Sequence, residues 1–184
     1  KADAVIVFVG VAGAGKSVQG KMLADEFGLP WLSTGEFLRM LISGQKRKDM
    51  VSGKLLGDQE IIALVQKIFS VVGVGDEFVL DGFPRTVSQA DWLLNQIKHG
   101  QLELTAIVHL KASQEEVEKR LLARGRPDDS QTAITARFTE YEKVTLPIVD
   151  LFKQADCPVI EVNGEQSVEA VHNDIVEALK DKLA

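Results

Sequence analysis

An apolar, β-branched run leads directly into a glycine-rich segment, and this pairing constrains the fold of the chain most strongly. The run is AVIVFV, residues 4–9, and the segment is GVAGAGKS, residues 10–17. Such a run is typical of a strand buried on both faces of a parallel sheet. The segment fits the pattern G-x-x-x-x-G-K-S and precedes the helical stretch VQGKMLADEF. Strand, loop and helix in this order predict a phosphate-binding loop.

The loop has a direct physical interpretation. Its glycines allow a tight turn in which backbone N–H groups point at phosphate oxygens, and the following helix adds its positive N-terminal end. Lys16 would neutralise the β- and γ-phosphates, and Ser17 would reach a magnesium ion. The alternative is a merely flexible glycine turn. The residues of this loop that we expect to contact ATP are Gly13, Ala14, Gly15, Lys16, Ser17 and Val18.

Further apolar runs alternate with helical patterns along the chain. They are EFVL before Asp81, AIVHL around Ile107 and PVIEV around Ile160. Alternation of this kind predicts an α/β fold with a doubly wound parallel sheet. Ligands of such sheets bind beyond the carboxyl ends of the strands, so functional residues should directly follow strands. At 184 residues, we expect one domain.

Helix boundaries are predicted from hydroxyl residues that lie three positions before a carboxylate. The pairs are Ser33 with Glu36, Ser88 with Asp91, and Ser113 with Glu116. A closing amphipathic helix is predicted from Ser167, and Pro147 should kink or divide a helix from about Thr132 to Phe152.

The charge balance limits the possible partners. A net charge of −6 and a pI of about 5.1 argue against a nucleic-acid or anionic-membrane surface. A single cysteine, Cys157, is consistent with a reducing compartment and excludes an internal disulfide. No apolar run approaches the ~18 residues of a membrane span, so we expect a soluble, cytoplasmic protein. No histidine lies in a motif, and none is assigned a role.

Two further segments narrow the class: LSTGEFLR, residues 32–39, and LDGFPRTVSQAD, residues 80–91. Together with the phosphate loop they closely resemble the adenylate kinase family of nucleoside monophosphate kinases, from Gly10 to about Gln166. The resemblance implies a five-stranded P-loop fold with an acceptor-binding excursion at about 33–57 and a short lid at about 124–131. It also implies a Mg²⁺-dependent transfer of the γ-phosphoryl group of ATP to AMP, giving two ADP. We expect the protein to be a monomer.

The resemblance also implies an acceptor site. Arg85 would contact the acceptor phosphate, Gln89 would hydrogen-bond the adenine edge, and Arg126 and Arg137 would clasp the transferring phosphoryl group and the acceptor phosphate. The remaining residues implied for AMP binding are Thr34, Arg39, Lys54, Leu55, Leu56, Gly82, Phe83 and Pro84.

On the donor side, the resemblance places Arg120 against the ATP adenine, Arg124 on the ATP phosphates, and Gln166 in a loop beside the adenine. Asp128 and Asp129 would orient the arginines. The implied catalytic residues are Lys16, Arg85, Arg126 and Arg137. Arg124 and Arg126 could instead form a solvated helix end.

The resemblance also implies a metal site at Ser17 and Asp81, with Asp81 acting through water. A carboxylate at the end of a buried strand is costly unless it meets a cation. Its alternative is an ordinary Asp-Gly turn.

The chain departs from the family pattern in the loop, where Ser17 and Val18 replace a usual Gly-Thr pair, and at Gly57, where proline is common. Two alternatives therefore stay open. One is a kinase for CMP, UMP or a deoxynucleotide, and the other is a nucleotide-binding regulatory protein without activity.

Overall fold

The computed structural model describes residues 2–35, 57–71, 76–127 and 129–183. In those ranges five strands form one parallel sheet. The strands are β1 (Asp3–Val9), β2 (Trp31–Ser33), β3 (Glu77–Asp81), β4 (Leu102–Lys111) and β5 (Val159–Asn163). Their order is β2-β3-β1-β4-β5, so the chain starts at the centre of the sheet and winds outward in both directions.

Four of these strands lie where the apolar runs predicted them. The predicted doubly wound parallel fold is confirmed as well. The fifth, β2, has only three residues, Trp31–Ser33, too few to show a hydrophobic period. Strand β4 begins at Leu102, earlier than its apolar run, and its pairing with β1 shifts register between Val5 and Ile6.

Helices connect the strands. They are α1 (Lys16–Phe27), α2 (Asp58–Val71), α3 (Val87–Lys98), α4 (Gln114–Arg124), α5 (Gln131–Glu140), α6 (Leu146–Gln154) and α7 (Val168–Leu179). Within the described ranges, no helix is both long and apolar enough to cross a bilayer.

The predicted helix starts are partly right. Ser113 and Ser167 accept hydrogen bonds from Glu116 N and Ala170 N, both at 3.2 Å, and so cap α4 and α7. The prediction for Ser88 is wrong, because Thr86 caps α3 by accepting from Gln89 N. The third predicted pair includes Glu36, which lies outside the described residues.

The predicted division near Pro147 is confirmed in a different form. A π-helical turn, Tyr141–Thr145, separates α5 from α6, and Pro147 occupies the first turn of α6. The backbone stays helical through Thr145, and Leu146 N donates to the Tyr141 carbonyl five residues earlier. The proline thus follows a widened helical turn, and proline and π-turns are both common causes of a helix kink. Tyr141 is buried at this turn and lies 2.6 Å from His109 Nε2 on β4.

The hydrophobic core lies on both faces of the sheet. Residues of β1 alternate between the two sides: Ile6 and Phe8 pack in one cluster, and Val5 and Val7 in the other. All four are at most 1 % exposed, and each such side chain contributes roughly 1.5–3 kcal/mol by burial. This core fixes the central strand, and with it the loop at its carboxyl end.

Candidate active site

The carboxyl ends of three neighbouring strands meet at one edge of the sheet. Asp81, the last residue of β3, is paired in register with Phe8 on β1 and with Ser33 on β2. The phosphate loop after β1, the Gly82 turn after β3 and Thr34 after β2 are therefore neighbours. The predicted site residues of these segments directly follow strands, where ligands of such sheets bind.

Two glycines of the phosphate loop lie in the left-handed region, and one of them packs against α4. Gly13 has φ 92° and Gly15 has φ 93°, a conformation that is costly for residues with a Cβ. A Cβ at Gly13 would also lie 3.0 Å from side-chain atoms of Val117 and Leu121. The loop therefore needs Gly13 both for its backbone conformation and for its contact with α4.

Lys16, Ser17 and Asp81 form a compact cluster at the start of α1. Lys16 Nζ lies 3.1 Å from Asp81 Oδ1, and Ser17 Oγ donates to Asp81 Oδ2 at 2.7 Å. The Asp81 side chain is only 3 % exposed, so its charge needs these polar partners. The neighbouring Val18, by contrast, is 49 % exposed. The arrangement combines a cation, a hydroxyl and a carboxylate at the helix N-terminus.

The Gly82 turn joins Thr34 to Arg85. The Gly82 carbonyl accepts hydrogen bonds from Thr34 Oγ1 at 3.0 Å and from Arg85 Nε at 2.9 Å. Gly82 has φ 88°, and a Cβ on it would lie 2.6 Å from Thr34 Oγ1. The turn continues through the cis Phe83–Pro84 peptide bond, with Phe83 fully buried against Trp92.

Gln89 is buried behind this turn, with 4 % of its surface exposed. Its Oε1 accepts from Arg85 N at 2.7 Å, and its Nε2 donates to Asp58 Oδ1 at 3.2 Å. Sequence reasoning missed Asp58. The only signal was an acidic residue at the start of a helical pattern, directly after the GKLLG segment.

Asp129 holds two of the predicted lid arginines. Its Oδ2 accepts from Arg124 Nε at 2.9 Å and Nη2 at 2.6 Å, and its Oδ1 accepts from Arg137 Nη1 at 2.9 Å. These hydrogen bonds, that from Arg137 foremost, hold the pKa of Asp129 below its ordinary value. These contacts are those expected of a residue that orients the arginines, whereas Asp128 lies outside the described residues. Arg126 is exposed, and its carbonyl accepts from Asp129 N at 3.0 Å.

Arg120 connects the phosphate loop to the loop after β5. Its guanidinium donates to the Gly13 carbonyl at 3.3 Å and to the Gly164 carbonyl at 2.6 Å. A Cβ on Gly164 would lie 3.0 Å from Lys111 O and 3.1 Å from Ala14 O. Gly164 is therefore a point of close backbone approach, although the Asn-Gly pair alone indicated only a turn. The Gln166 amide donates to Asp174 Oδ2 on α7 at 2.8 Å.

The structure thus places the described residues of the phosphate loop, the predicted metal site and the Gly82 turn at one edge of the sheet, and it joins Arg124 to Arg137 through Asp129. Four residues predicted for the acceptor site fall outside the described part of the chain: Arg39, Lys54, Leu55 and Leu56.

Comparisons with known proteins all match the chain to the same family. A family model described as Adenylate kinase matches residues 8–157. An adenylate kinase from Leptospira biflexa is 33% identical over 184 residues, covering 95% of this chain and 98% of the relative. One from Synechococcus sp. is 36% identical, covering 90% and 93%. Adenylate kinase 1 of Synechocystis sp. is 34% identical, covering 95% and 96%.

Proposed function

The chain belongs to the adenylate kinase family, and we propose that the edge of the sheet described above carries out that family's reaction. The chain is an ATP:AMP phosphotransferase, which transfers the γ-phosphoryl group of ATP to AMP and yields two ADP. The observation that carries the assignment of residues is the cluster of Lys16, Ser17 and Asp81 beside the Gly82 turn. Donor and acceptor binding loops thereby lie at adjacent strand ends.

The reaction needs alignment and charge stabilisation more than covalent chemistry. Phosphoryl transfer has a loose transition state in which charge spreads over the equatorial oxygens. In our proposal the loop from Gly13 to Val18 binds the ATP phosphates through its backbone, and Lys16 Nζ moves from Asp81 to the β- and γ-phosphates. Arg85, Arg126 and Arg137 stabilise the transferring group and the acceptor phosphate.

Residues suited to Mg²⁺ are present beside Lys16. A hydroxyl and a carboxylate are ligand types that Mg²⁺ accepts, and this ion usually keeps several waters while bridging substrate phosphates. The described residues contain no group of three or more His, Cys, Asp and Glu able to hold a metal. In our proposal Ser17 and Asp81 hold the ion, with Asp81 acting through water. The bound ion would neutralise phosphate charge.

Two of the lid arginines share one hydrogen-bonding partner. Asp129 fixes Arg124 and Arg137 together, so part of the ordering cost falls on folding instead of on substrate binding. We propose that residues 124–131 close over ATP, that Arg124 contacts its phosphates, and that closure excludes water from the reacting groups. Arg120 and Gln166 then border the ATP adenine.

AMP is the acceptor because Gln89 offers an amide for adenine beside the phosphate contact of Arg85. Thr34, Arg39, Lys54, Leu55, Leu56, Gly82, Phe83 and Pro84 complete the proposed acceptor site. A CMP, UMP or deoxynucleotide kinase and an inactive regulatory protein are not favoured, since the relatives compared above are all named adenylate kinases.

We also propose that the chain acts as a single-domain monomer on small substrates in the cytoplasm, without nucleic-acid or membrane partners. The acidic net charge of −6 supports the absence of polyanionic partners. A single cysteine fits a reducing compartment. Sedimentation at catalytic concentrations would show a 20.1 kDa species, and a larger one would contradict the monomer.

The assignment is tested by Lys16→Ala and Arg126→Ala, with the exposed Lys98→Ala on α3 as the matched loss of one positive charge. Each site variant should lower kcat for ADP formation at least ~100-fold, as loss of a transition-state charge partner does. Lys98→Ala should retain wild-type turnover.

A panel of nucleoside monophosphates, run with and without Mg²⁺, should rank AMP first. Wild-type rates in a folded Lys16→Ala protein, or preference for CMP or UMP, would refute the proposal.

A further inference from the structure

We propose that Asp58 is a positioning residue that fixes the amide orientation of Gln89, and thereby makes the acceptor site select adenine over a purine with an oxo group at C6. The inference rests on the proposed function, because it concerns how the same acceptor site reads its base. It assigns a role to Asp58, which no sequence motif pointed to.

Asp58 lies in the first turn of α2 and contacts two residues of the segment after β3. Its Oδ1 accepts from Thr86 Oγ1 at 2.9 Å and from Gln89 Nε2 at 3.2 Å. Thr86 Oγ1 in turn accepts from Gln89 N at 3.2 Å. One carboxylate oxygen therefore holds both the side chain of Gln89 and the residue that caps its helix.

The opposite side of the Gln89 amide is equally constrained. Gln89 Oε1 accepts from the backbone N–H of Arg85 at 2.7 Å. A backbone N–H can only donate, and an ionised carboxylate can only accept. Rotating the amide by half a turn would place its NH₂ group against the Arg85 N–H and its oxygen against Asp58. Both hydrogen bonds would be lost, so the orientation is set by the two partners together.

The fixed amide retains one N–H and one oxygen lone pair for a ligand, because each of its two atoms uses one position internally. Adenine offers a complementary pair, an amino group that donates and a ring nitrogen that accepts. A 6-oxopurine carries an acceptor where adenine carries the amino group. It would meet the Gln89 oxygen with another oxygen, and a buried mismatch of this kind is costly.

The burial of Gln89 makes these partners decisive. At 4 % exposure, the amide has little access to water, so its orientation depends on protein partners. Without Asp58, the NH₂ group loses an acceptor, and the Arg85 N–H alone holds the side chain. The amide could then turn toward a 6-oxopurine at lower cost.

The test uses the full-length protein and compares Asp58→Ala, Asp58→Asn and the neighbouring exposed Gln59→Ala. Kinetics are measured with AMP and with inosine monophosphate at saturating ATP. Asp58→Ala should raise KM for AMP about tenfold and lower the ratio of kcat/KM for AMP over inosine monophosphate by a similar factor, as expected for one hydrogen bond to a charged group. The KM for ATP should stay within about twofold of wild type.

The conservative variant separates positioning from packing. Asp58→Asn keeps a carbonyl oxygen that can accept from Thr86 and Gln89, so it should retain most of the wild-type AMP preference, as should Gln59→Ala. If Asp58→Ala fails to fold, Asp58→Ser replaces it, because serine is tolerated at a helix start and its hydroxyl is too short to reach Gln89.

A double-mutant cycle with Gln89→Leu shows whether Asp58 acts through Gln89. In the Gln89→Leu background, Asp58→Ala should leave the AMP preference unchanged, whereas additive losses would overturn the inference. An unchanged preference in Asp58→Ala alone would also overturn it. Failure of the wild-type protein to phosphorylate AMP would instead contradict the proposed function, so the two failures are distinguishable.

Discussion

Ser17 donates a 2.7 Å hydrogen bond to Asp81, which places the hydroxyl that follows Lys16 directly on the carboxylate at the end of β3. The usual family threonine position is taken by Val18, which is 49 % exposed. Relative to the family pattern, the hydroxyl lies one position earlier in the chain, and it contacts the carboxylate at the end of β3.

This relationship predicts that Ser17, and not position 18, supports metal-dependent turnover. Ser17→Ala should lower kcat/KM for MgATP about tenfold, since it removes one hydrogen bond to a charged group. Val18→Thr, which restores a hydroxyl at the usual family position, should change it less than about twofold. Steady-state rates over a magnesium titration measure both. Equal sensitivity of the two positions would contradict this prediction.

Gly82→Ala should destabilise the protein and weaken acceptor binding. The substitution combines a left-handed φ of 88° with a Cβ that would lie 2.6 Å from Thr34 Oγ1. Strain of roughly 1–2 kcal/mol from the backbone and of similar size from the overlap should lower the free energy of unfolding by at least ~2 kcal/mol. The KM for AMP should rise.

A matched control exists at Gly100, which has φ 72° but no atom within 4 Å of where an added Cβ would lie. Gly100→Ala should show only the backbone cost, about 1 kcal/mol, with an unchanged KM for AMP. Denaturant unfolding and AMP saturation curves check both variants. A Gly82→Ala protein no less stable than Gly100→Ala would show that the contact with Thr34 is unimportant.

Asp129 should make stability fall at acid pH. Its folded-state pKa lies below the ordinary value of 3.8 because Arg137 and Arg124 donate to it. The unfolded chain then binds the proton first, so this contribution is fully present above about pH 3.8 and is lost as pH falls through the lower folded-state pKa. Asp129→Asn should lower stability at neutral pH and flatten this acid limb. Chemical denaturation from pH 2.5 to 7 tests it, and an unchanged slope would contradict it.

His109 should make the folding stability depend on pH in a second, less acidic range. Burial holds its pKa below 6.5 against the opposing field of Glu161, while burial raises the pKa of its partner Tyr141 to about 12. Between that lowered folded-state pKa and 6.5, the unfolded chain binds a proton that the folded protein does not. Stability is therefore full above pH 6.5 and declines as pH falls from there toward the folded-state pKa.

His109→Gln should remove this decline, whereas His99→Gln at the exposed end of α3 should preserve it. Melting temperatures between pH 5 and 8 give the comparison. A decline of equal size in His109→Gln would assign the effect to other groups.

The sequence by itself determined the central strand, the phosphate loop and the turn from Asp81 to Arg85. Each is a short contiguous pattern with strict local requirements, such as residues 10–17 between a buried strand and a helix. The caps at Ser113 and Ser167 were also local and predictable, whereas Thr86 took the place predicted for Ser88. The Thr86 hydroxyl also donates to Asp58, a partner from a distant part of the chain that the local pattern does not contain.

Only the tertiary structure decided which polar groups meet. Strand β2, Trp31–Ser33, forms because its three residues pair with β3. It is too short to show a hydrophobic period. Asp58 contacts Gln89 and Arg120 contacts Gly164, and both contacts join segments far apart in the chain. A buried polar atom needs a hydrogen-bond partner, and the sequence does not predict which residue that partner is. The sheet order and the packing of helices on it determine which partner is within reach.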